Sequence, residues 1–240
     1  DQGGCGKSNP GNSWIHNTSQ DLVDDIEKLR CFLQFNEIML FGGSWGASLA
    51  ILYCIKYPKN VFHYIIRGFT LLDEEIYPES FKLMYPKKWE KVVELGGSQK
   101  QLQIAKKFLS EIKKNNAKYI NAWCDAEKQA LTIDPKDNKF KSSFADKKTI
   151  ALIETYYFSN KCFLPKNYFM KNIKKIKHIP GHIVHGRQDC ICSPDDSYKI
   201  HCGLPKTKLI VVEGAAHSYI DPPLTQALVK CTKDCIKLYD

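Results

Sequence analysis

The first clear hydrophobic pattern runs through "SQDLVDDIEKLRCFLQF", where Leu22, Ile26, Leu29 and Leu33 recur at helical spacing. Acidic residues crowd its first half, as a helix dipole favours, and Thr18 or Asn17 stands where a cap belongs. The apolar runs then shorten. "EIMLFGG" reads as a buried strand, "ASLAILYCIKYP" as an apolar helix stopped at Pro58, and "VFHYIIRG" as a strand rich in β-branched and aromatic residues. Strand, helix, strand in that order predicts parallel pairing and an α/β sheet. From about Phe69 to Lys177 the pattern becomes lysine-rich, aromatic and mainly helical. The alternation then returns, with "GHIVHGRQD" and "KLIVVEGAAHS" as strands and "DDSYKIHCGLP" and "PLTQALVKCTKDCIKLY" as helices. The expected organisation is an α/β core in two parts, residues 1–68 and 178–240, interrupted by a helical insertion at 69–177.

Composition narrows the function classes. With 240 residues, 43% of them hydrophobic, the chain can bury a sizeable core, which excludes a disordered or fibrous protein. No run approaches the ~18 apolar residues of a membrane span, so a soluble protein with no membrane partner is expected. The net charge of +9 rests on lysine clusters such as "KNIKKIK". Without a nucleic-acid-binding module or interleaved aromatics, these read as a solvated face, and no nucleic-acid partner is expected. The ten cysteines are irregularly spaced and lack paired C-x2-C ligands, so they read as reduced thiols of a cytoplasmic protein rather than a metal site.

Two short motifs bear on chemistry. "GGCGKS" fits the end of a phosphate-binding loop, but the first glycine of that motif would fall on Asp1 and the strand–loop–helix context is missing. "GGSWG", Gly42 to Gly46, matches G-x-S-x-G between a predicted strand and a predicted helix. There a serine occupies a tight turn that lifts its hydroxyl above the sheet, with glycines on either side admitting the close approach of strand and helix. Ser44 is thus a candidate nucleophile, and the backbone N–H of Trp45 a candidate oxyanion donor. A serine needs a histidine base oriented by a carboxylate. Asp189 and His217 each follow a predicted strand, in the order this arrangement requires. His63, His182 and His185 lie within or beside strands and read as packed residues; Asp195 and Asp196 are runners-up to Asp189 that look more like the start of a helix.

At this point the sequence resembles a family, the proline iminopeptidases, α/β-hydrolases that remove N-terminal proline from peptides. The matching stretches run nearly end to end and include "DQGGCGKS", "FGGSWGASLAILY", "IIRGFTLL", "AWCDAE", "IETYYF", "IPGHIVHGRQDCICSP" and "EGAAHS". The resemblance implies an α/β-hydrolase fold with a helical cap, a Ser44–Asp189–His217 triad acting through an acyl-enzyme, and no cofactor. It further implies that Glu127 and Glu154 bind the amino terminus of a peptide substrate. Tyr157, Phe158 and Trp45 can line a pocket for the pyrrolidine ring, core packing being the competing reading for each.

Four positions depart from the family pattern: Gly3, Ala126, Gln188 and Ala216, of which Ala126 is expected to enlarge the substrate pocket. The resemblance also implies a glycine-rich HGGPG loop ahead of Asp1; no equivalent lies within these residues, which gives the expectation of an N-terminally shortened chain. A general esterase or amidase, and a non-catalytic hydrolase-like binding protein, stand as alternatives. Oligomeric state is left open, a homo-oligomer included.

Overall fold

The computed structural model describes residues 2–11, 13–72, 77–134, 136 and 143–239. Four strands form one wholly parallel sheet in the order β1 (Ile38–Gly43), β2 (Val61–Arg67), β3 (Gly181–Gly186), β4 (Thr207–Val212). Each predicted strand is present. The helix after β1 begins earlier than the hydrophobic pattern suggested, at Trp45 rather than Ala47, because the chain turns into α2 (Trp45–Lys56) directly from Ser44.

Strand periodicity sorts the core into two layers. Tyr64, Ile66 and Ile183 face α2 and the later helices α8 (Tyr168–Asn172) and α9 (Pro194–Cys202), joining Ile51, Phe169, Ile173 and Ile200 in one cluster. Ile65 and Val184 point the other way, against Leu224, Leu228, Cys231 and Cys235 of α10 (Pro222–Tyr239). A sheet covered on both faces explains why its strands read as nearly continuous apolar runs.

The helix α1 (Ser19–Phe32) is capped by Thr18 in a reciprocal box with Asp21, which settles the choice between Thr18 and Asn17. Only the first half of its apolar stripe is covered. Leu22 and Val23 are buried and Ile26 packs on the core, but Leu29 is 57% and Leu33 48% exposed. Helical spacing alone put those two leucines inside; their turn of α1 extends past the elements it packs on.

Between β2 and β3 the chain forms α3 (Glu79–Met84), α4 (Pro86–Gly96), α5 (Gln101–Lys113), α6 (Ala117–Lys128) and α7 (Phe144–Ser159), followed by α8. These helices have their own core, with Tyr77, Phe81, Phe108, Ile120 and Trp123 at its centre. The glycine-rich opening segment forms turns, and the next helix starts only at Ser19, so Gly6, Lys7 and Ser8 do not open a helix as a phosphate loop would. The ten cysteines are free thiols, and among the described residues no helix is long and apolar enough to cross a membrane.

Candidate active site

The site lies beyond the carboxyl ends of the strands, where parallel sheets collect their loops. Ser44 joins β1 to α2 with φ 57° and ψ −126°, a conformation strained for any residue but glycine. A β-carbon at Gly42 would lie 2.3 Å from the Gly46 carbonyl oxygen, so Gly42 is required there. At Gly46 a β-carbon would meet nothing, so the second motif glycine is not demanded by crowding, contrary to the sequence argument. The N–H of Trp45, the first residue of α2, falls outside the helical hydrogen-bond ladder and can donate to an oxyanion.

Ser44, His217 and Asp189 form one hydrogen-bonded row. His217 Nε2 lies 2.9 Å from Ser44 Oγ, and His217 Nδ1 lies 2.8 Å from Asp189 Oδ2. His217 and Asp189 are both buried. The other carboxylate oxygen of Asp189 accepts from the backbone N–H groups of Ile191 and Cys192, each at 2.9 Å. Burial alone would raise its pKa, but His217, His185 and these surroundings hold it well below the usual carboxylate range. Asp189 is thus fixed as an anion, and its bond keeps a proton on His217 Nδ1 and leaves Nε2 free to face the serine.

Three supports of this row were not singled out in the sequence. Arg67, at the end of β2, donates to the His217 carbonyl oxygen at 2.6 Å, and burial draws its pKa down. Gly68 has φ +58°, and a β-carbon there would approach the His217 ring to 3.1 Å. Asp221 accepts the Ala216 N–H at 2.7 Å and so holds the residue ahead of the histidine. The visible signal for the first two was a charged residue followed by glycine at the end of a buried strand; for Asp221 there was none.

The row opens on a cavity of about 940 Å³, also lined by Trp45, Tyr157, Phe158, Glu127 and Glu154. The two glutamates come from α6 and α7. Glu154 accepts from Trp123 Nε1 at 2.7 Å, and Glu127 from the Tyr77 hydroxyl at 3.4 Å. Both keep some surface open to the cavity while protein surrounds them at depth. That burial, and for Glu127 the nearby Glu154 charge as well, pushes their pKa values above the usual range. In such surroundings the charged form of either carboxylate is disfavoured unless a cation accompanies it. Tyr157 donates to Asn17 Oδ1 at 2.9 Å and meets Trp45 edge to face at 4.8 Å, so both rings are packed while still walling the cavity. Ala126 is buried in the helical core instead, which removes the expectation that it enlarges the pocket.

A parallel sheet covered by helices on both faces, with a serine on a strained strand-to-helix turn, defines an α/β-hydrolase, and the family model for the alpha/beta hydrolase fold matches residues 1–222. Solved structures agree on the fold. An esterase from Exiguobacterium antarcticum matches with TM-score 0.64 at 14% identity, over 97% of this chain and 78% of that one. A thermophilic esterase from Thermogutta terrifontis gives 0.67 at 15%, over 100% and 79%.

Sequence relatives narrow the family. A probable proline iminopeptidase of Leptolyngbya boryana is 33% identical, covering 97% of this chain and 76% of that protein. Proline iminopeptidases of Neisseria meningitidis serogroup A and Arabidopsis thaliana are each 34% identical, covering 98% and 95% of this chain and 78% and 63% of their own lengths. The chain belongs to the proline iminopeptidase family of hydrolases.

Proposed function

We propose that the protein is a serine exopeptidase that releases proline from the amino terminus of peptides. The observation that carries this reading is the shared cavity, with a serine–histidine–aspartate row at one place on its wall and two half-buried carboxylates of raised pKa at another. A secondary ammonium brings two N–H donors and a full positive charge, and it satisfies the Glu127–Glu154 pair as a neutral group cannot. Trp45, Tyr157 and Phe158 supply apolar surface for the pyrrolidine ring.

In the reaction, Ser44 attacks the carbonyl carbon after proline while His217 takes the serine proton at Nε2. Asp189 holds the imidazole and stabilises the imidazolium that forms. The Trp45 N–H donates to the oxyanion. His217 then protonates the leaving amine, and water, activated by the same histidine, hydrolyses the prolyl ester on Ser44. The reaction needs no cofactor. We place the helices between β2 and β3 as the cap that brings specificity to this chemistry, with residues 1–68 and 178–240 as the hydrolase core.

The test is Ser44→Ala assayed on a prolyl arylamide, with a fluorophosphonate probe as a second readout. The expected result is loss of turnover by roughly 10³-fold or more, together with loss of labelling. Retained turnover would remove Ser44 from the mechanism.

A further inference from the structure

Sequence position made His185 a strand residue that packs. Its surroundings give it more to do. It is 0% exposed on β3, and Nε2 lies 3.0 Å from the Cys192 carbonyl oxygen and 3.1 Å from Asp189 Oδ2. A carbonyl can only accept, so Nε2 carries a proton, which faces the Cys192 carbonyl with Asp189 Oδ2 at 3.1 Å beside it. The other ring nitrogen, Nδ1, is 2.6 Å from the hydroxyl of Ser197 on α9, also fully buried, which can donate to it.

The segment from Asp189 to Cys192 is therefore closed from both sides. Its own N–H groups at Ile191 and Cys192 bind Asp189 Oδ1, and His185 reaches both the far carboxylate oxygen and the carbonyl that ends the turn. Asp189 Oδ2 consequently stands between two imidazoles, His217 on the side of Ser44 and His185 on the side of α9.

We propose that His185, its ring orientation set by Ser197, is a positioning residue for the hydrolytic reaction, acting through Asp189 to aim and tune His217. The proposal rests on the reading of Ser44, His217 and Asp189 as the reacting row. Its physical content has two parts. The Nε2–H, 3.1 Å from Oδ2, favours one rotation of the Asp189 carboxylate, and so one direction of the oxygen that holds His217. It also draws electron density from that oxygen, which weakens the grip of Asp189 on an imidazolium formed at His217. The other charged and titratable groups around the turn include Arg67 from β2, Glu127 from α6, Asp196 from α9, Tyr219 from the loop after His217, and the thiols of Cys190 and Cys192; none is altered in the test.

The experiment compares wild type, His185→Gln, His185→Phe and Ser197→Ala in kcat, KM and the acid limb of kcat/KM on a prolyl arylamide, with circular dichroism to check folding. Glutamine can place an N–H near the position of Nε2; phenylalanine keeps the ring volume and removes the donor. His185→Phe is expected to lower kcat about tenfold with KM little changed, and to move the acid limb up by about half a pH unit, because an undonated carboxylate stabilises the His217 imidazolium more strongly. His185→Gln should recover most of both effects, and Ser197→Ala should shift the limb in the same direction by less.

A folded His185→Phe protein with wild-type kcat and limb overturns the proposal, as does a fall in kcat with no movement of the limb. If His185→Phe does not fold, Ser197→Ala and His185→Gln decide: a limb unmoved in Ser197→Ala overturns it. Full activity in Ser44→Ala would instead remove the underlying reading, so the two failures are distinguishable.

Discussion

At the scale of single residues, the glutamate pair links charge to stability and, on the proposed function, to binding. Because folding raises the pKa of Glu127 and Glu154, the unfolded chain loses these protons first as pH rises. Stability therefore falls from the ordinary carboxylate range upward through the raised values. Glu154→Gln is expected to be more heat-stable than wild type near neutral pH and to lose that advantage toward about pH 3, where both carboxyls are protonated in the folded and the unfolded chain; melting curves across this range check it. The same ionisation should make KM for a prolyl arylamide fall as pH rises, up to the point where the substrate amine itself deprotonates. Gly68→Ala would push a β-carbon toward the His217 ring at a positive φ, and should lower kcat by about tenfold or more with little change in KM. The glutamates were legible only through resemblance, since a carboxylate on a lysine-rich helix reads equally well as solvated surface.

At the scale of elements, α1 shows how a helix with a half-exposed apolar stripe is held. Glu27 accepts from Arg30 at 2.7 and 2.9 Å, from the Tyr53 hydroxyl of α2 at 2.6 Å and from Asn60 Nδ2 at 3.1 Å, so one carboxylate ties α1 to α2 and to the loop before β2. Arg30 chiefly, then Tyr53 and Asn60, lower its pKa from 4.5 to about 2. Glu27→Ala should cost about 1–3 kcal/mol in denaturant unfolding. The contribution is present above the unfolded carboxylate pKa and is lost as pH falls through about 2. The spacing of Leu22 to Leu33 announced the helix correctly, yet it could not tell a buried turn from an exposed one. That distinction depends on which elements lie beneath, and these come from elsewhere in the chain.

At the scale of the whole molecule, the Ser44–His217–Asp189 row is built at strand ends and the carboxylate pair on two helices inserted between β2 and β3, so the proposed function assigns chemistry and specificity to physically separate parts. Glu127→Gln combined with Glu154→Gln should reduce turnover of a prolyl arylamide by about 10²-fold or more while leaving hydrolysis of a small neutral ester within about threefold of wild type. Parallel rates on the two substrates check it; equal losses would place the pair in general structural support instead.

The sequence alone determined the alternation of strands and helices, their parallel pairing and the places of Ser44, Asp189 and His217, because these follow from local periodicity and from turns at strand ends. Only the tertiary structure decided that Arg67, Gly68 and Asp221 brace the histidine loop, that His185 reaches the far side of Asp189, and that Ala126 faces the helical core rather than the cavity. The physical reason is range: hydrophobic period and turn chemistry act over a few residues, whereas a hydrogen bond such as that from Arg67 to His217 spans 150 positions of chain and exists only once the sheet has assembled.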